Sequence, residues 1–447
     1  MATDDAAARP PSGAARDDTV EGTPAPSRVP ANLRILLGAN LVSSIGSGLT
    51  LPFLLIYLHN VRHIPLGLSG VLIGASALVG IPAGPIAGAL VDRLGARLVS
   101  ASGLAFAGLG TASLVFVRSA ASAVPVLLLV GFSQSSLWPT WNALFAVMVP
   151  DESLRPRVFA RGFQLLNLGL GIGAMVAGAV VRVSNPSTFD LVYLVDAITN
   201  FVVVIALVLL PAHAFGRTER AASAGGDHVT AKPSGGYREV LGDRRFRRFL
   251  LASAFLGFAG YAAVEAGLVG YAIHVVHVGS YVISWAFGLN TGMIVVLQPL
   301  GLRLAGRFRR TTSLMICATC FGVSWLVLLA AGGAAGTVTG EILVVAMFGV
   351  FSLGEILLAP VGGPLVTMLA TPELQGRYNA SAASVLTTLG VVGPALAGVL
   401  LGAGLGGVYL LALSASAAVA IFAFWQLRRV LSPQIDNASA DRAVTAT

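Results

Sequence analysis

Apolar residues arrive in runs of about twenty, and that spacing restricts the chain more than any other feature. An α-helix rises about 1.5 Å per residue, so a run of ~20 crosses the ~30 Å hydrocarbon core of a bilayer. Such runs cover roughly residues 34–58, 68–90, 98–117, 122–148, 157–182 and 189–210. Six more cover roughly 247–274, 280–304, 311–331, 338–369, 377–402 and 405–427. Hydrocarbon offers backbone amides no water, so each crossing segment must satisfy its own hydrogen bonds as a helix. The expectation is an all-α polytopic membrane protein with twelve transmembrane helices in two pseudo-symmetric six-helix bundles. Only 11% of residues are charged, against about 25% in soluble domains, so a soluble enzyme is excluded. Glycine is abundant, 53 of 447 residues, as suits helices that approach closely in lipid. Pro52, Pro82, Pro139, Pro299, Pro360 and Pro394 fall inside the runs, where buried helices tolerate them.

Charge orients the runs. Of 28 basic residues, 25 fall on the side that also holds both termini, leaving Arg62, Arg118 and Arg182 opposite. Basic loops stay cytoplasmic, so both termini are expected in the cytoplasm and the protein in the inner or plasma membrane. The net charge of +8 is therefore topological and implies no nucleic-acid partner. Residues 1–31 lack apolar periodicity and read as a disordered cytoplasmic tail. Residues 32–210 form a first bundle, 211–246 a polar cytoplasmic linker, 247–430 a second bundle and 431–447 a cytoplasmic tail. Arg244, Arg245, Arg247 and Arg248 sit where the second bundle begins, placed to anchor at the inner leaflet or to meet anionic headgroups.

The two halves repeat weakly. Aligned without gaps, residues 157–180 and 377–400 match Arg157 with Arg377, Ala160 with Ala380, Gly173 with Gly393 and Gly178 with Gly398. With a one-residue slip, Pro139 meets Pro360 and Gln134 meets Glu355. Repeated bundles can rock against each other about a central site.

Between the second and third runs lies GALVDRLGAR, residues 88–97. Its charges cannot sit in hydrocarbon, so it is expected as a short surface loop. Gly88, Asp92, Arg93, Gly95 and Arg97 together resemble the loop signature of the major facilitator superfamily. The resemblance covers about residues 32–430 and is nearest to the drug:proton antiporter branch. It implies alternating access, with Asp92, Arg93 and Arg97 as an inner gate whose acid approaches the start of the eleventh span near Arg377. The chain departs from that branch in three places. Ala174 stands where a proline is typical on the fifth span, although Gly393 and Pro394 on the eleventh supply a similar pair. The first and fourth spans lack an embedded acid and arginine respectively. The second copy of the loop, LAGRFRR at 304–310, has Gly306 in place of the acid.

Intramembrane acids are costly and usually functional. Glu265 and Glu355, on spans that face the central cavity in the resembled fold, are the leading candidates for proton coupling. Asp196 is a third, equally suited to a structural hydrogen bond. Burial penalises a charged carboxylate, which suits proton uptake and release near neutral pH. Glu341 reads as solvated. Gln134, Trp138 and Trp141 share one helix face. With Asn142, Asn167, Tyr261, Asn290 and Gln298 they make the expected substrate cavity, apolar with few polar groups, suited to small lipophilic compounds. Gly173, Gly393 and Pro394 are expected to bend their helices. His59, His63, His274 and His277 cluster at outer span ends and read as interfacial. Cys317 and Cys320 read as small core residues.

No metal site or cofactor is expected, nor catalysis: zinc-ligand, serine-elbow and P-loop patterns are absent from the sequence. The reading is a monomeric secondary transporter exporting small lipophilic compounds in exchange for protons. A proton-coupled importer of a small metabolite has the same outline.

Overall fold

The computed structural model describes residues 31–148, 155–210, 237–261, 264–371 and 374–437. The first half holds α1 (Ala31–Thr50), α2 (Leu66–Leu94), α3 (Ala96–Ser113), α4 (Ala120–Met148), α5 (Arg155–Val180) and α6 (Ser187–Leu209). The second half holds α7 (Arg244–Ala259), α8 (Ser280–Arg307), α9 (Arg310–Gly332), α10 (Val338–Leu369), α11 (Gln375–Gly402) and α12 (Gly406–Arg428). Among the described residues, ten of these segments are long and apolar enough to cross a bilayer. The other two are α4, a 29-residue helix (Ala120–Met148), and α7, which ends at Ala259.

The halves pack alike. In the first, α1 meets α5 and α6, α2 meets α4, and α3 meets α4 and α6. In the second, α7 meets α11 and α12, α8 meets α10, and α9 meets α10 and α12. Adding six to each helix number of the first set gives the second. Two seams join the halves, α2 against α11 and α5 against α8, which are exchanged by the same operation.

Small residues make the seams possible. A Cβ on Gly398 would stand 2.7 Å from the Gly70 Cα, and one on Gly74 would stand 2.4 Å from the Val391 carbonyl oxygen. On the other seam a Cβ on Gly171 would collide with the Thr291 side chain and one on Gly178 with Ser284. These contacts lie toward the end bearing the 62–65 and 275–279 connections, so the bundles are sealed there. Gly173 serves close packing of α5 on α1: a Cβ there would stand 2.8 Å from the Gly48 Cα.

Two connections repeat in a way the sequence comparison missed. The Arg62 amide donates to the Tyr57 carbonyl and the Ile64 amide to Leu58, both at 3.0 Å. The Val276 amide donates to Tyr271 and the Val278 amide to Ala272, both at 3.1 Å. His63 and His277 occupy the left-handed region in these turns, at φ 54° and 63°. The spacing from tyrosine to histidine is the same in both, Tyr57 to His63 and Tyr271 to His277.

Several expectations need adjustment. The 88–97 charges do not form a loop of their own: Asp92 and Arg93 belong to the last turn of α2 and Arg97 to the first turn of α3. One residue, Gly95, makes the connection at φ 84° and ψ 151°, a conformation reserved for glycine. The first span runs beyond Thr50 through a 3₁₀ turn (Leu51–Phe53), an α-turn (Leu54–Ile56) and a π-turn (Tyr57–Val61). In the seventh, α7 ends at Ala259, and its further described elements include a π-turn (Val264–Leu268) and a short helix (Val269–His274). Tyr237–Gly242, at the end of the expected linker, is a short helix, and Asp243 caps α7 by accepting from the Arg245 and Phe246 amides. Residues 1–30, 211–236 and 438–447 lie outside the described ones.

The C-terminal segment folds back onto the second half. Pro433–Asp436 forms one helical turn, and Asp436 is 2% exposed. Its carboxylate accepts from the Thr311 amide and the Thr311 hydroxyl, both at 2.9 Å, while the Arg310 guanidinium donates to the Ile435 carbonyl at 2.6 Å. The second copy of the charged loop carries no acid of its own at Gly306; Asp436 brings one to the first turn of α9.

Candidate functional site

A cavity of about 190 Å³ lies where the halves meet, beneath the sealed end. The first half contributes Gly48, Leu51, Pro52, Asn167, Leu170, Gly171 and Ala174, and the second Tyr261, Val264, Phe287, Asn290, Thr291, Phe348, Phe351 and Glu355. Tyr261, next to Gly260 where α7 ends, lines this space.

Glu355 is the chemical centre of the wall. Its carboxylate accepts from the Asn290 amide nitrogen at 2.6 Å and from the Tyr261 hydroxyl. The same Asn290 nitrogen donates to the Ser352 hydroxyl at 2.9 Å, and Ser352 donates to the Phe348 carbonyl at 2.7 Å. Tyr261 beyond α7, Asn290 on α8 and Ser352 on α10 therefore form one network about this acid. An ionised carboxylate only accepts, whereas a protonated one also donates. A proton on Glu355 would set a new donor against the Tyr261 and Asn290 donors and force the network to rearrange. Ser352 was not among the expected residues; its position one helical turn before Glu355 is the signal that could have found it.

Across the cavity, Asn167 donates to the Phe163 carbonyl of its own helix at 2.8 Å. The remaining wall is largely apolar and aromatic. Such a surface offers area and a few fixed polar groups, not the dense hydrogen bonding a sugar needs.

Other candidates fall elsewhere. Gln134 lines a second cavity of about 210 Å³ with Leu51, Leu54, Ser76, Ala266 and Pro394. Trp141 is 8% exposed and packs with Leu33, Leu36, Leu104 and Leu144 in the core of the first half, away from both cavities. The helical-face argument placed it with Gln134, but helices cross at an angle, so one face meets different neighbours along its length. Gln298 lies on α8 outside both cavity walls, half-buried. Gly393 and Pro394 are buried in α11.

Asp196 is fully buried between α1 and α6, not at the cavity. It accepts from the Thr50 hydroxyl at 2.9 Å and from the Asn200 amide at 3.0 Å. Gly46 leaves room for it: a Cβ there would stand 2.4 Å from Asp196 Oδ1. Arg97 donates to the Leu207 carbonyl at 2.9 Å and the Val208 carbonyl at 2.5 Å, satisfying the C-terminal end of α6 in its own bundle. Arg93 is exposed. The side chains of Asp92, Trp138, Asn142 and Glu265, and Gly88, lie outside what the structure describes, although the backbone places all five within helical turns. His59 and His274 meet across the halves with ring centroids 5.0 Å apart.

Two repeated bundles, joined by glycine-lined seams over a shared cavity, define a secondary transporter. The chain belongs to the Major Facilitator Superfamily, whose family model matches residues 36–282. It is similar to the uncharacterised MFS-type transporter YqjV of Bacillus subtilis, with 27% identity over 388 residues, covering 84% of this chain and 88% of that one. It is also similar to a Na(+), Li(+), K(+)/H(+) antiporter of Planococcus maritimus, with 26% identity, covering 80% and 87%. In fold it is similar to the peptide transporter POT crystallised with sulfate, at a TM-score of 0.71 and 17% identity, covering 92% of this chain and 96% of that one.

Proposed function

We propose that this transporter exports small lipophilic compounds in exchange for protons, with Glu355 carrying the proton. The observation that carries the reading is the placement of that carboxylate in an apolar, aromatic cavity wall shared by both halves, held by Tyr261 and Asn290. An antiporter among the relatives supports exchange as a mode of coupling. Both termini lie in the cytoplasm by the distribution of basic residues, so the sealed end is the outer one. Asp92 acts as the inner gate: when the cytoplasmic side closes it meets the start of α11 near Arg377, and that contact biases the equilibrium between the two states. Glu265 is the second candidate for the proton. The cavity polar groups Asn167, Tyr261 and Asn290 orient the substrate.

The test is pH-gradient-driven flux of a lipophilic cationic dye in proteoliposomes, with wild type, Glu355→Gln and Glu265→Gln. Expected is dye movement against the proton gradient that Glu355→Gln abolishes. Coupled flux that survives in both variants overturns the proton assignment, and dye moving together with protons makes the chain a symporter.

A further inference from the structure

A groove of about 900 Å³, larger than the central cavity, lies on the outer surface of the bundles between α5, α8 and α10. Its walls are apolar along nearly the whole length, from Tyr281 to Leu297 on α8. Sixteen steps of helix rise about 24 Å, more than the ~15 Å of hydrocarbon in one leaflet. Trp285, Val296 and Ile342 on its edges are 65%, 71% and 61% exposed, so the groove faces the bilayer. Its floor is made by glycine: a Cβ on Gly292 would meet nothing within 4 Å.

One end of the groove is charged. The Tyr281 hydroxyl donates to the Glu341 carboxylate. Arg182 stands beside that end, outside the lining: its guanidinium donates to the Val181 carbonyl at 3.0 Å, and the same carbonyl accepts from the hydroxyl of Ser280, the residue before Tyr281, at 3.3 Å. An acid thus lines the head of a long apolar channel and a base stands beside it, a charge pattern complementary to a zwitterionic headgroup over an acyl chain.

We propose that this groove is a binding site for one acyl chain of an amine-headed zwitterionic phospholipid, with its ammonium on Glu341 and its phosphate toward Arg182. A primary ammonium brings three N–H donors to that carboxylate; a quaternary choline brings none. The site therefore selects ethanolamine-type over choline-type lipid. It is separate from the central cavity, since Tyr281, Trp285 and Gly292 line only the groove while Phe287, Asn290 and Thr291 on the same helix line only the cavity.

The experiment equilibrates the full chain in vesicles containing equal phosphatidylethanolamine, phosphatidylcholine and phosphatidylglycerol, extracts it gently, and counts retained lipid by native mass spectrometry. Expected is one ethanolamine lipid retained per chain in preference to the other two. Glu341→Gln should remove about a tenfold preference, the equivalent of ~1.4 kcal/mol. Gly292→Phe should fill the floor and lower retention of every lipid, with an unchanged melting temperature in detergent. Equal retention of the three lipids by the wild type means annular lipid only and overturns the proposal. Unchanged retention in both variants overturns it as well. Should Gly292→Phe melt early, Trp285→Ala, on the exposed edge, reads the same loss of retention.

Discussion

The amide nitrogen of Asn290 stands 2.6 Å from a carboxylate oxygen of Glu355, and this bond ties α8 to α10 at the wall of the shared cavity. Asn290 also donates to Ser352, so a change at Glu355 is felt on α8 and one turn back on α10. α8 in turn packs against α5 of the other half. A protonation event at one carboxylate is thereby linked by direct contacts to a seam between the halves.

Glu355→Gln keeps the shape and an accepting oxygen but cannot take up a proton. Its melting temperature should stay near that of the wild type, a change within about 1 kcal/mol. Flux driven by a pH gradient should be lost, while exchange of labelled for unlabelled substrate at equal pH persists. Loss of both activities would make Glu355 a substrate ligand and not the coupling group.

Asp196 should behave differently. Replacing it with alanine leaves the buried Thr50 hydroxyl and Asn200 amide without that acceptor, at about 1–3 kcal/mol each. A clear fall in melting temperature is expected, with Asp196→Asn milder because one acceptor oxygen remains. If Asp196→Asn melts like the wild type but abolishes pH-driven flux, Asp196 belongs to the coupling path.

Gly398→Leu tests the α2–α11 seam. Its Cβ would come 2.7 Å from the Gly70 Cα, a clash that only backbone displacement relieves. Overpacking of this kind costs about 1–3 kcal/mol. The sealed end should become accessible to a water-soluble thiol reagent at a cysteine introduced at Gly67, and transport should fall. Gly363→Ala on α10, where an added Cβ meets nothing within 4 Å, serves as the control and should leave both unchanged.

Asp436→Ala removes the carboxylate that caps α9. Losing such a cap costs about 0.5–2 kcal/mol, and the segment after Leu431 should become sensitive to protease. Asp436→Asn, which keeps one accepting oxygen, should restore most of the protection; protease resistance equal in all three proteins would show that the fold-back does not depend on this residue.

Much of this was legible along the chain. Runs of twenty apolar residues specify helices because hydrocarbon leaves the backbone no other partner. Glu355, Asn290, Tyr261 and Asn167 stood out because polar groups in such runs are costly, and the structure places all four around one cavity. Trp141 stood out by its helical spacing from Gln134 and Trp138, yet packs in a core, since helical periodicity defines a face and not what that face meets.

Local spacing and composition by themselves determined the number of crossings, the twofold repeat and the loop whose glycine makes its turn. Those properties depend on interactions within one helix or between one segment and the solvent around it. Tertiary structure alone decided that Asp196 serves the interior of one bundle while Glu355 serves the space between two. It also decided that Asp436, far from the second charged loop in sequence, supplies an acid beside it. Each of these depends on which helices become neighbours, and that is settled by the summed packing of glycine seams and buried side chains over the whole molecule.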